Sequence, residues 1–138
     1  KKMDYVFMTA AISDYSPRKI SNKKLKRSSN DLVLKLAPTT DVLKSIQNKT
    51  KAKIIAFALE THDGEKEALR KLDEKKANYI VLNYANEEGA GFESSTNRVT
   101  IFDKKGNKIE LKKDRKNQIA EKIILYVLEA KKNQLIFN

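Results

Sequence analysis

A cysteine-free chain of 138 residues, 40% hydrophobic and 34% charged, has the length and balance of one globular domain, and it excludes disulfides, thiolate metal sites and a cysteine nucleophile. No apolar run approaches the roughly 18 residues of a membrane span, and no segment has the pattern of a signal peptide. Lysine and arginine outnumber aspartate and glutamate 29 to 18, a net charge of +11, and residues 1–53 set thirteen basic against four acidic side chains, or +9 of that total.

A field of that sign favours anionic partners: nucleic acid, anionic lipid or phosphorylated small molecules. A lysine-rich surface that serves solubility alone fits the total charge equally well.

In chain order, Tyr5-Val6-Phe7-Met8 is a short apolar run closed by small residues and reads as a buried strand. It starts with no turn or cap ahead of it, so the N-terminal part of the fold is expected in a longer parent. Ala10 to Pro17 is small and turn-forming, a loop leaving the strand's C-terminal end. Residues 18–30 lack apolar periodicity and predict a mobile loop carrying Lys23-Lys24-Leu25-Lys26-Arg27.

Leu32 to Leu36 alternates as a strand with one exposed face, and Pro38 should end it. Thr40 or Asp41 would cap a helix whose apolar face is Val42, Leu43 and Ile46. Ile54 to Leu59 predicts a second buried strand, and residues 64–76 a helix with Ala68, Leu69 and Leu72 inward. Tyr79 to Leu82 predicts a third strand, ended by Asn83. Val99–Phe102 and Lys108–Leu111 flank a hairpin turn at residues 103–107. Residues 115–131 form an amphipathic helix with Ile119, Ile123, Ile124, Val127 and Leu128 on one face.

The fold class is therefore α/β: a Rossmann-like, mostly parallel sheet with flanking helices and a late antiparallel hairpin, in one domain over 1–138. Ligands of such sheets bind outside the C-terminal ends of the strands. That rule selects the loop after Met8, the helix start at Asp41, the strand end at Phe57 and the loop after Asn83.

Thr9, Ala10 and Ala11 are small enough to let a base or phosphate approach the backbone, and Asp14 follows on the same loop. An ordinary turn with a polar cap has the same composition. The 23–27 run could close over a polyphosphate leaving group, or simply be a solvated loop. Thr39-Thr40-Asp41 opens a helix whose free N–H groups suit an anion, although a plain N-cap reads identically. Lys71 and Lys75 lie four apart on one helix face, spaced either for a phosphate or for solubility. Phe57 could stack on a base or fill the core. His62, the lone histidine, has no partner set for a metal or a triad. Neither a GxxxxGK[ST] nor a GxGxxG loop occurs. No protein-held metal site is expected.

Taken in order, Thr-Ala-Ala-Ile-Ser-Asp-Tyr at 9–15, Lys-Leu-Lys-Arg at 24–27, Thr-Thr-Asp-Val-Leu at 39–43, Ala-Phe-Ala-Leu-Glu-Thr at 56–61, Lys71 and Lys75 before Tyr-Ile-Val-Leu-Asn at 79–83, Gly91-Phe92 and Asn97 resemble the phosphopantothenoylcysteine synthetases (phosphopantothenate–cysteine ligases). In the bifunctional coenzyme A biosynthesis flavoproteins these form the C-terminal domain. The resemblance runs from about residue 4 to about residue 130 and includes the spacing from Asp14 to Lys24.

It implies a cytoplasmic, homodimeric ligase joining L-cysteine to 4′-phosphopantothenate. CTP activates the carboxylate to an acyl-cytidylate, and the cysteine amine then displaces CMP. By the same carry-over, Thr9, Ala10 and Asp14 hold the cytosine and ribose region, and Lys24 is a catalytic lid lysine. Thr40, Asp41, Val42 and Leu43 place backbone near the nucleotide, Phe57 packs against it, and Lys71 and Lys75 bind phosphates. Mg2+ accompanies the triphosphate, FMN belongs only to a parent carrying a flavin-dependent decarboxylase, and dimerisation uses the region near Leu32–Leu36.

Two departures stand out. Thr39-Thr40 replace the Asn-Pro that usually precedes the helix aspartate, and the family's glycine-rich phosphate loop with its asparagine has no counterpart. A chain of this extent is expected to fold and bind nucleotide while being weak or inactive as a synthetase. The rival expectations are an ATP-using ligase of the same type and a basic nucleic-acid-binding α/β module. The absence of interleaved aromatics makes nucleic acid the lesser partner.

Overall fold

The computed structural model describes residues 3–27, 29, 31–84 and 95–136, with only the backbone described from residue 130 onward. In chain order the elements are β1 (Tyr5–Met8), β2 (Tyr15–Pro17), β3 (Leu36–Pro38), α1 (Val42–Ile46), β4 (Lys53–Glu60), α2 (Gly64–Glu74), β5 (Tyr79–Tyr84), β6 (Thr96–Asp103), β7 (Lys108–Arg115) and α3 (Lys116–Ile136). Gly91 and Phe92, two pieces of the family resemblance, lie outside the described residues.

One sheet runs β1-β4-β5-β6-β7, and β2 pairs with β3 as a separate two-stranded ribbon. β1, β4 and β5 are parallel, whereas β6 and β7 continue the sheet antiparallel. The sheet is thus mixed, with its parallel part where ligands of α/β folds bind. Apolar residues at successive positions of β4 and β5 demand cover on both faces. Ile54, Ala56, Ala58, Ile80 and Leu82 pack with Ala68 and Leu72 of α2. Ile55, Tyr79 and Val81 pack with Ile119, Ile123 and Val127 of α3 on the opposite face.

The 103–107 turn is built as its composition predicts. Asp103 Oδ1 accepts from the N–H groups of Lys105 and Asn107 at 2.8 and 3.0 Å. Gly106 sits at φ +87°, a conformation that side chains with a Cβ disfavour.

Several expectations need correction. The first strand is half-buried at the sheet edge, with Phe7 37% exposed, because only β4 pairs with it. The strand expected over Leu32–Leu36 is confined to Leu36–Pro38, with Pro38 inside it. Pro38 fits because the ribbon has only two strands, so its missing N–H faces no ladder partner. Leu69, Ile124 and Leu128 are 47%, 45% and 42% exposed rather than inward. Each helix packs on one face of the sheet along a narrow stripe, and these side chains fall at its margin.

Candidate functional site

A cleft of about 760 Å³ opens at the C-terminal ends of β1, β4 and β5. Its floor is Met8, Phe57, Ala58, Leu59, Asn83 and Tyr84. One wall combines Thr9–Ile12 and Asp14 with Thr39–Leu43, and the other is Arg70, Lys71, Glu74 and Lys75 of α2 and its C-cap. Asn97 and Lys116 complete the lining.

The β2–β3 ribbon explains how two distant stretches form one wall. Tyr15 pairs with Pro38, the Thr39 N–H donates to the Asp14 carbonyl at 2.9 Å, and the Thr39 hydroxyl donates to the Ser13 carbonyl. The loop after β1 is thereby fastened beside the start of α1. At the base of the intervening excursion, the Arg18 N–H donates to the Lys35 carbonyl at 2.9 Å.

Of the residues singled out from sequence, Thr9, Ala10, Asp14, Thr40, Asp41, Val42, Leu43, Phe57, Lys71 and Lys75 all line this cleft, and Lys24 does not. Lys24 is exposed on the excursion between Arg18 and Lys35. The small and apolar lining from Ala10, Ala11, Val42, Leu43 and Ala58 suits a flat ring, and the α2 wall supplies charge.

The cationic wall is balanced by acids. Lys71 Nζ lies 2.5 Å from Glu60 Oε1 at the end of β4. Lys75 pairs with Asp41 Oδ2, while Asp41 Oδ1 accepts the Lys44 N–H at 3.1 Å and caps α1. The helix start is therefore capped by its own carboxylate, which takes an N–H that an anion would have used. Partial burial pushes the Asp41 carboxyl up, but the Lys75 and Lys44 donors outweigh it and hold it below the usual value. Arg70 is held by Glu67 at 2.8 Å and Glu74 at 2.6 Å on α2 itself.

At the floor, the Asn97 amide donates to Asn83 Oδ1 at 2.7 Å, tying β6 to the end of β5. Tyr84 lies over Gly64, where an added Cβ would come within 2.7 Å of the ring.

Sequence reasoning missed Tyr84, Arg70, Glu74 and Lys116, and missed Glu60 as the partner of Lys71. Glu60 carried a signal, being an acid at the last position of an apolar strand. Arg70 and Glu74 read only as surface charges until the docking of α2 is known. Among the described residues, no three His, Cys, Asp or Glu side chains come together to hold a metal ion. No helix among them is long and apolar enough to cross a membrane.

The family model described as the DNA/pantothenate metabolism flavoprotein C-terminal domain matches residues 1–130. A cysteine/cysteine sulfinic acid decarboxylase from an unknown prokaryotic organism is 39% identical over 132 residues, covering 93% of this chain and 36% of that protein. The coenzyme A biosynthesis bifunctional protein CoaBC of Bacillus subtilis (strain 168) is 42% identical over 109 residues, 78% of this chain and 27% of that protein. The crystal structure of the C-terminal domain of a coenzyme A biosynthesis bifunctional protein CoaBC superposes with a TM-score of 0.72 at 33% identity, covering 94% of this chain and 56% of that one. The chain thus spans about a third of the length of these two curated relatives.

Proposed function

Since this chain belongs to the DNA/pantothenate metabolism flavoprotein C-terminal domain family, we propose that it is the nucleotide-handling part of a phosphopantothenate–cysteine ligase. The observation that carries this reading is the convergence in one cleft of ten residues from four separate stretches of sequence, Thr9–Asp14, Thr40–Leu43, Phe57, and Lys71 with Lys75.

In the proposed reaction the 4′-phosphopantothenate carboxylate attacks the α-phosphate of CTP. An acyl–phosphate bond forms and pyrophosphate leaves. The amine of L-cysteine then attacks the acyl carbon, forming the amide, losing a proton and expelling CMP. Thr9, Ala10 and Asp14 hold the cytosine and ribose, and Phe57 packs against the nucleotide. Lys71 and Lys75 meet its phosphates, and Lys24 closes from the excursion to stabilise the charge that develops on the phosphate oxygens.

Mg2+ is assigned as the companion of the triphosphate, whose charge it would offset. FMN is assigned only to a longer parent with a decarboxylase part. A homodimer is supported by Leu32, Val33, Leu34 and Leu36, which are 67%, 81%, 58% and 53% exposed in one short run.

A thermal-shift titration with CTP, ATP and a short oligonucleotide tests the reading. Stabilisation by CTP is expected, and stabilisation by ATP instead would change only the nucleotide. A response to the oligonucleotide alone would sink the ligase reading in favour of a nucleic-acid module.

A further inference from the structure

Resting on the reading that the cleft takes a polyphosphate, the two lysines offered to it pose a chemical problem. Each already holds a carboxylate. The Lys71 and Glu60 side chains are 35% and 16% exposed, and those of Lys75 and Asp41 are 27% and 31% exposed. Both pairs are partly withdrawn from water, where a charge-assisted contact is stronger than at a free surface. The four formal charges cancel, so the wall presents donors without a net positive field.

A phosphate placed on the two ammonium groups would sit beside two carboxylates of its own sign. It cannot simply add to the existing contacts. The acids also come from elements other than α2: Glu60 from the end of β4 and Asp41 from the cap of α1. Each lysine is thus stretched from α2 toward a different edge of the cleft. Asp41 keeps the Lys44 N–H on its other oxygen, so it remains anchored after Lys75 departs.

We propose that Glu60 and Asp41 are positioning residues that act as internal anions, holding Lys71 and Lys75 in place in the empty cleft and yielding them to the phosphates of the incoming nucleotide. Binding is then an exchange of partners. Affinity reports the difference between phosphate and carboxylate as acceptors, and singly charged anions fail to displace the acids. A chain of phosphates reaching both lysines at once succeeds, so the paired acids tune the wall toward polyphosphates.

The test is isothermal titration calorimetry of the whole chain with CTP and with inorganic tripolyphosphate. Glu60→Gln keeps the size and an acceptor oxygen but removes the charge. It is expected to tighten both probes about five-fold, equivalent to about 1 kcal/mol. Asp41→Asn, which preserves the capping oxygen, should act in the same direction, and Glu60→Asp should return affinity toward the unsubstituted value. A purely structural role predicts lower thermal stability with no tightening. Unchanged or weaker binding in folded Glu60→Gln and Asp41→Asn, with CTP still bound by the unsubstituted chain, overturns this inference and leaves the ligase reading intact. Failure of the unsubstituted chain to bind either probe overturns both.

Discussion

Asp41 and Lys75 join the cap of α1 to the C-cap of α2 through one carboxylate, whose other oxygen serves the Lys44 N–H. Because Asp41 titrates below its ordinary value of 3.8, its contribution to stability follows a definite sign. A carboxyl whose folded pKa is depressed stabilises fully above the unfolded value and loses that stabilisation as pH falls through the folded one. The melting temperature should therefore be flat near neutrality and start to drop as pH approaches about 4. Asp41→Asn should remove part of that slope. Asp114 beside Lys122 and Glu67 beside Arg70 are also lowered, so a residual slope remains. Identical pH profiles for the two proteins would contradict the assignment.

Gly64 opens α2 beneath the Tyr84 ring, with 2.7 Å from an ideal Cβ to Cε1. Helix propensity alone would make Gly64→Ala stabilising by up to about 1 kcal/mol. The atoms met are the outer end of the Tyr84 ring, which must turn aside, and we expect a net loss of about 1 kcal/mol by chemical denaturation. Making the same change in a Tyr84→Ala background should abolish the loss. Additive effects in that double-mutant cycle would show that the contact is not the cause.

The centre and the margin of the apolar stripe on α3 should behave differently. Val127 is fully buried and Ile124 is 45% exposed. Val127→Ala should cost about 2 kcal/mol, whereas Ile124→Ala should change stability by about 0.5 kcal/mol or less. Denaturant midpoints at constant m-value decide it, and equal costs would place the helix at a different rotation.

Lys24 is exposed and outside the cleft lining, so Lys24→Gln should leave the melting temperature within experimental error. If the excursion carries it over the phosphates, the same change in the full-length parent should slow CMP release about a hundredfold or more. Unchanged turnover would remove Lys24 from the reaction.

How much of this was legible beforehand differs by element. The runs at Ile54–Leu59 and Tyr79–Leu82 are apolar at every position, a pattern that specifies strands buried on both faces whatever surrounds them. The turn at 103–107 carries its own aspartate and glycine chemistry, so its place was equally plain. The β2–β3 ribbon was not legible, because Tyr15-Ser16-Pro17 has no alternation and pairs with residues that lie 19 to 23 positions away. Cleft residues could be located through the rule that ligands sit at strand C-termini, but their charge partners could not. Lys71 and Lys75 read as free cations because the acids that hold them, Glu60 and Asp41, arrive from different elements, and only the docking of α2 brings them within reach.

The clasp at Arg18 and Lys35 has a geometric consequence for what hangs from it. Six residues of extended chain reach at most about 20 Å, so Lys24 is leashed within that radius of its anchor, and the closure proposed for it would be a local search at high effective concentration. The clasp also isolates the leash from the wall. Residues could be inserted into or removed from the tip at an entropic cost of about 0.6 kcal/mol per doubling, while Asp14 and Asp41 stay where the ribbon holds them. Reach and grip can therefore be adjusted separately in this fold.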